Sequence, residues 1–230
     1  LILYPRERGC VWGAENEFVS SARLDDLQCV YGCLRGLLDA ADGESAAVLS
    51  VFDNEEVGSG TKQGADSSFL EDVLYRVCAA LGRSDAQYRA LLTNSFMVSA
   101  DNAHAVHPNH PEYADRNDRP EMNKGIVIKH NANQRYTTDA VSAAAFEAVC
   151  RRAGVPVQSF TNRADIAGGS TLGHISAAHV SINTVDIGLA QLAMHSAYET
   201  AGAKDTEYLA AAAREFFGSS FAQRGEITEI

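Results

Sequence analysis

The chain has 230 residues, of which 46% are hydrophobic and 21% charged, enough apolar content for one sizeable core. Nineteen Lys and Arg stand against 30 Asp and Glu, a net charge of -11 with a pI near 5.0. That balance speaks against a nucleic acid or an anionic membrane surface as partner, because both select basic faces. No apolar run approaches the roughly 20 residues of a membrane span, and no signal-peptide pattern opens the chain.

The five cysteines, Cys10, Cys29, Cys33, Cys78 and Cys150, are scattered and odd in number. They read as reduced thiols of a cytoplasmic protein rather than a disulfide framework. The first residue is Leu1, inside a strand-like run, so the chain reads as part of something longer.

In chain order, residues 1–4 and 17–20 read as short strands around a Gly-containing loop. A helix opens at Ala22, with Leu27, Val30, Tyr31, Leu34, Leu37 and Leu38 on the 3.6-residue period. Asp25 and Asp26 fall in its first turn, where capping and the helix dipole explain an acid. Residues 46–52 form an apolar run ended by turn residues, the pattern of a buried strand in a parallel sheet. That run leads into Glu55 and Glu56. Where the strand breaks into a turn, the two carboxylates can diverge from one spot, one binding a metal ion while the other works on water. A solvated turn with two surface glutamates is the plain alternative.

Residues 66–81 and 86–92 read as helices, and 95–100 as a second apolar strand ending in a carboxylate, Asp101. Three histidines follow within seven residues, His104, His107 and His110. Histidine and carboxylate together are common zinc ligands. Residues 111–123 read as a loop and 125–130 as a strand with Lys129 near its end. Residues 139–153 read as a helix and 155–160 as a strand. The Gly168-Gly169-Ser170-Thr171 loop either cradles an anion or makes a tight turn. Residues 175–179 form a helical turn and 183–188 a strand; His195 follows, then a helix over 208–217 and a polar, frayed end over 223–230. Alternating strands and helices without repeats specify an α/β fold in one domain, 1–230.

Acids and one histidine thus collect near strand ends: Asp25, Glu55, Glu56, Asp101 and His195. Two metal ions sharing a carboxylate need such a set, and a metal pair polarises a carbonyl and activates water near neutral pH. The segments Ala22-Arg23-Leu24-Asp25-Asp26, Asp53-Asn54-Glu55-Glu56-Val57-Gly58-Ser59, Ser99-Ala100-Asp101-Asn102-Ala103-His104-Ala105-Val106-His107-Pro108-Asn109, Asn131-Ala132-Asn133-Gln134-Arg135-Tyr136, Gly169-Ser170-Thr171-Leu172-Gly173 and Gln191-Leu192-Ala193-Met194-His195-Ser196 occur in this order. In these segments the chain resembles the M18 metallo-aminopeptidases, the aspartyl aminopeptidase family, from Leu1 to about Phe217.

The resemblance implies a three-layer α/β/α sandwich with a mostly parallel mixed sheet. It implies a bridging ligand at Asp25, a general base at Glu55, metal ligands at Glu56, Asp101 and His195, and a substrate-facing ammonium at Lys129. His104 and His107 match the family as either supports of the ligands or loop-packing residues. The implied activity is zinc-dependent removal of N-terminal residues from peptides, acidic ones preferred, by a homo-oligomer; cobalt or manganese suits the same ligands.

The family's His-x-Asp segment and its inserted assembly domain have no counterpart here. The chain therefore resembles the C-terminal part of the catalytic domain, with one of two ion sites incomplete. Asp26 stands for the usual Asn, Gly168 for a frequent Cys, and His174 and Ala190 for Pro. The alternative is a catalytically incomplete metal-binding fragment or subunit. A metal-free glycosidase using paired carboxylates is a further alternative that a chelator separates.

Overall fold

A computed structural model describes residues 3–224 and 227–230. In chain order the elements are β1 (Cys10–Trp12), β2 (Phe18–Ser21), α1 (Leu24–Asp39), α2 (Phe69–Ala80), α3 (Asp85–Thr93), β3 (Phe96–Ala100), β4 (Ala103–His104), β5 (Ile126–His130), α4 (Ala140–Ala153), β6 (Val157–Thr161), α5 (Leu172–His179), β7 (Asn183–Gly188), β8 (Ala190–Leu192), β9 (Glu199–Gly202), α6 (Ala203–Gly218), β10 (Ala222–Arg224) and β11 (Ile227–Glu229). Single 3-10 turns lie at Glu55–Val57 and Pro111–Tyr113.

The central sheet runs β3-β7-β5-β6. β3–β7 and β5–β6 pair in parallel, and β5–β7 is antiparallel, so the sheet is mixed and mostly parallel. Ile126, Val127 and Ile128 of β5 are all buried, as a strand covered on both faces requires. On one face Ile126, Ile128, Val185 and Ile187 pack against Phe146 and Cys150 of α4, Leu209 and Ala212 of α6, and Cys29 of α1. Asp186 points to the opposite face, where the start of α5 lies against it. A Cβ at Gly173 would come within 2.3 Å of Asp186 Oδ1, so only glycine permits that approach. α2 and α3 pack through Cys78, Tyr88 and Leu92, with Leu74 and Ile182 alongside. The α/β/α layering expected from the sequence is therefore present.

Local chemistry sets the element ends. Ser84 and Gln87 form a reciprocal cap at the start of α3, and Asp139 and Ser142 do the same for α4. Gly154 ends α4 in the left-handed conformation. α1 packs closely along α6 because Gly36 has no side chain; a Cβ there would meet that of Ala213 at 2.3 Å.

A second sheet, β1-β2-β9-β8-β4, is antiparallel except for β4–β8. Of its strands the sequence reading anticipated only β2, as residues 17–20, and not the sheet, because the strands are two to four residues long and the others show no usable alternation. It positions the site: β2 leads into Asp25, and the β8–β9 turn carries His195.

Three local expectations are corrected. Residues 46–52 form no strand. Their apolar composition suits burial, but a strand also needs a lateral partner, and among the described residues no backbone–backbone hydrogen bond involves them. Of residues 1–4, Leu1 and Ile2 lie outside the described residues, and Leu3 and Tyr4 are exposed and outside any strand; the first hairpin uses Cys10–Trp12 instead. The C-terminal residues are not merely frayed, since β10 and β11 pair antiparallel.

No helix among the described residues is long and apolar enough to cross a membrane. All five cysteines are free thiols, and three of them are buried.

Candidate metal centre

Asp25 sits at the start of α1, but not as a helix cap. Asp25 and Asp26 have non-helical φ/ψ values, and the peptide bond between them is cis. The Asp25 side chain is turned inward rather than toward solvent, which corrects the reading of both residues as simple first-turn acids. Asp26 Oδ1 accepts the backbone N–H of Asn102, so the acid spends one oxygen on fixing the chain after β3.

Glu55 and Glu56 lie in the 3-10 turn, bracketed by Asn54 at φ 60° and Gly58 at φ 95°. This double left-handed frame makes the abrupt bend that sends two adjacent carboxylates into one cleft. His195 sits at φ 65°, a conformation uncommon for a residue with a side chain. Its backbone N–H donates to Glu199 Oε1 at 2.7 Å, and the other oxygen of Glu199 accepts the N–H of Asp25 at 2.9 Å. One buried carboxylate thus holds both backbones.

His195 Nε2 lies 3.2 Å from Asp25 Oδ2 and 3.1 Å from Glu56 Oε2. Ligand atoms of Asp25, Glu56 and His195 lie within 4.8 Å of one another, as do those of Asp25, Asp26 and Asp101. Asp25 belongs to both groups, the arrangement expected of a bridging ligand. Lys129, reaching over β7 from β5, places Nζ 3.1 Å from Asp101 Oδ2 and 5.6 Å from the centre of the Tyr136 ring.

All eight residues singled out from the sequence, Asp25, Glu55, Glu56, Asp101, His104, His107, Lys129 and His195, line one cleft of about 670 Å³. They differ in their engagement. His104 lines the wall, its imidazole held below the usual value by burial and then by Lys129 and His195. His107 accepts the backbone N–H of Asn109 and faces His110 across 5.3 Å, so it shapes a loop. The Gly169–Thr171 stretch lines the opposite wall, anchored by Thr171 Oγ1 donating to Asp186.

The electrostatics are those of crowded anions. Burial pushes Asp25 up to about 8, with Asp101, Glu56 and Glu199 adding to it and Lys129 opposing. Burial, then Asp101 and Glu56, push Glu55 up to about 7. Burial alone would lower Lys129, but Asp101, with Tyr136 and Asp186, outweighs it and holds the ammonium above its usual range. Asp25 Oδ1 is buried with no hydrogen-bond partner. An orphaned carboxylate oxygen among mutually raised acids and one imidazole is the donor set that a divalent cation satisfies.

Two residues missed from the sequence complete the frame. Glu199 is one. Asn102 is the other: its amide donates to Leu24 O, Gln28 Oε1 and Gln191 Oε1, tying the start of α1 to the end of β3 and to β8. A polar residue directly after a strand-end ligand was the available signal for Asn102; Glu199 offered none.

The family model for Aminopeptidase I zinc metalloprotease (M18) matches residues 1–217. The chain belongs to the M18 family of zinc metalloproteases. It is 51% identical over 217 residues to "Probable M18 family aminopeptidase 2" of Clostridium acetobutylicum, covering 94% of this chain and 50% of that protein. It is 45% identical over 219 residues to the protein of the same description in Ectopseudomonas mendocina, covering 95% and 50%. Among solved structures it is similar to an M18 aminopeptidase of Thermotoga maritima, with TM-score 0.86, 26% identity and coverage of 93% and 49%. Yeast aminopeptidase 1 gives TM-score 0.83, 31% identity and coverage of 93% and 50%. The chain spans about half the length of the curated relatives it matches.

Proposed function

We propose that this chain carries the metal-binding and proton-transfer residues of a zinc aminopeptidase that removes N-terminal residues, acidic ones by preference. The observation that carries the reading is Asp25, shared between two ligand-spaced groups and left with an unpartnered buried oxygen. Asp25, Glu56 and His195 would hold one zinc ion; Asp25 and Asp101, with Asp26 in reach, would hold a second. Bound ions would supply Lewis acidity toward the scissile carbonyl and acidify a water molecule.

Glu55 is the general base: half-buried, raised to about 7 and free of a structural hydrogen bond to hold it, it takes a proton from water and returns it to the leaving amine nitrogen. Lys129 fixes Asp101 and offers the buried ammonium in the cleft to which an acidic substrate side chain can pair. Sharing that ammonium with Asp101 limits the preference to a graded one.

A second reading is that the chain binds metal but acquires turnover only together with the remainder that its relatives carry. Its support is the half-length match and the all-carboxylate composition of the Asp25, Asp26, Asp101 group, which lacks an imidazole. Association as a homo-oligomer belongs to the same proposal; a structure similar to this chain is the S. cerevisiae mApe1 dodecamer, at TM-score 0.81 and 31% identity. Turnover of Asp-, Leu- and Lys-anilides, with and without chelator, tests the reading. Chelator-sensitive cleavage with Asp fastest is expected; a faster Leu substrate removes the acidic preference, and chelator-resistant cleavage removes the metallopeptidase.

A further inference from the structure

Asp186, on β7, is fully buried and has no place in the candidate metal centre. A buried carboxylate persists only where donors satisfy it. Thr171 Oγ1 donates to its Oδ1 at 2.8 Å, and the backbone N–H and the hydroxyl of Thr137 donate to its Oδ2 at 2.6 and 2.7 Å. The N–H of Asp186 in turn donates to Thr138 Oγ1 at 2.9 Å. Three uncharged donors from two distant segments thus converge on one carboxylate.

Both segments line the cleft. Tyr136, directly before Thr137, lines it with its ring centre 5.6 Å from the Lys129 ammonium. Gly169, Ser170 and Thr171 line the opposite wall. Asp186 stands behind this lining and ties the two parts together. The tie replaces ordinary local chemistry. Thr171 directly precedes α5, where a threonine hydroxyl ordinarily accepts an N–H of the first turn; here it makes no such cap and donates to Asp186 instead. α5 lies so close to the same carboxylate that Gly173 has no room for a side chain. Burial works against the Lys129 ammonium; Asp101, Tyr136 and then Asp186 hold it above its usual range.

We propose that Asp186 is a positioning residue for substrate selection: through Thr137 and Thr171 it holds the Tyr136 and Gly169–Thr171 parts of the lining at the spacing with which Lys129 receives an acidic side chain. The proposal rests on the reading of Lys129 as the ammonium that pairs with that side chain. An ammonium and a carboxylate pair well only over a narrow range of distance and direction. A lining that drifts therefore weakens the pairing of an acidic side chain, while an apolar one, whose burial is non-directional, still fits. Asp186 thus acts on the choice between side chains rather than on the metal ligands.

The test is calorimetric titration of the zinc-loaded chain with L-aspartate and with L-leucine, the amino acids that the two kinds of cleavage release. Asp186→Asn turns one acceptor into an N–H₂ group that faces donors. Thr171→Val removes one donor, keeps the shape of the side chain and leaves Asp186 with both donors of Thr137, so it serves where Asp186→Asn fails to fold. Both variants should lose aspartate affinity by about 10–100-fold and leucine affinity by no more than about threefold, the selective loss that misplacement of one charged pair produces. Zinc content by elemental analysis should stay unchanged, and Thr171→Ser, which restores the hydroxyl, should restore the preference. Equal losses for the two amino acids would make Asp186 a purely structural residue and overturn the proposal. Loss of the preference in Lys129→Met, with the Asp186 and Thr171 variants unchanged, would overturn the proposal and leave the reading of Lys129 standing. A native chain without preference for aspartate would overturn both.

Discussion

Glu199 accepts the backbone N–H of Asp25 with one carboxylate oxygen and that of His195 with the other, at 2.9 and 2.7 Å. Residues 170 positions apart in the chain are thereby set in register before any ion arrives. Removing this tie in Glu199→Ala should lower zinc affinity by about 10–100-fold, the usual cost of losing a ligand's support. Glu199→Gln, which keeps one acceptor, should fall between. Competition with a chromogenic chelator measures both, and an unchanged affinity in Glu199→Ala would contradict the assignment.

The crowded carboxylates make the metal-free fold sensitive to pH. Asp25 is raised from an ordinary 3.8 to about 8, and Glu55 from 4.5 to about 7, burial being the first cause in each. A raised carboxyl binds more protons in the folded chain than in the unfolded one. The stability these two groups contribute is therefore fully present below about 4 and is lost as pH rises through about 7 and 8. Lys129 is shifted in the upward direction from an already high value, so its contribution does not change in this window. The melting temperature of chelator-treated protein should fall between pH 5 and 8, and added zinc should flatten the slope. A rise over the same range without metal would contradict the account.

Glu55→Gln keeps the shape of the side chain and removes the carboxylate proposed as the base. Turnover of an aspartyl anilide should drop by about 10²–10⁴-fold, with metal content unchanged by elemental analysis. Loss of metal in this variant would make Glu55 a ligand instead.

Lys129→Met removes the buried ammonium, which lies 3.1 Å from Asp101. The ratio of Asp- to Leu-anilide kcat/KM should fall toward one or below. An unchanged ratio would confine Lys129 to holding Asp101.

Much of the fold was legible because apolar periodicity and caps act locally. α4 follows from Asp139, Ser142 and an apolar stripe, and β5 from an unbroken Ile-Val-Ile run. The loops that carry the candidate metal residues were legible because carboxylates sit where strands or turns end. What stayed hidden depends on contacts between distant segments. Glu199 looks like an ordinary acid at the start of a short strand until Asp25 and His195 are placed on either side of it. Asp25 and Asp26 look like helix caps because composition does not reveal their non-helical backbone. Residues 46–52 have a strand's composition without a strand's partner, and composition encodes burial rather than pairing.

Everything proposed for the cleft depends on whether Asp25, Glu56 and His195 hold a metal ion. Elemental analysis after exhaustive dialysis, on the native chain beside His195→Ala and Glu56→Ala, tests it most directly. About one zinc should remain per native chain, held by the group with an imidazole while the all-carboxylate group loses its ion to dialysis, and both variants should lose it almost completely. No zinc in the native chain, or zinc retained when His195 is removed, would contradict it.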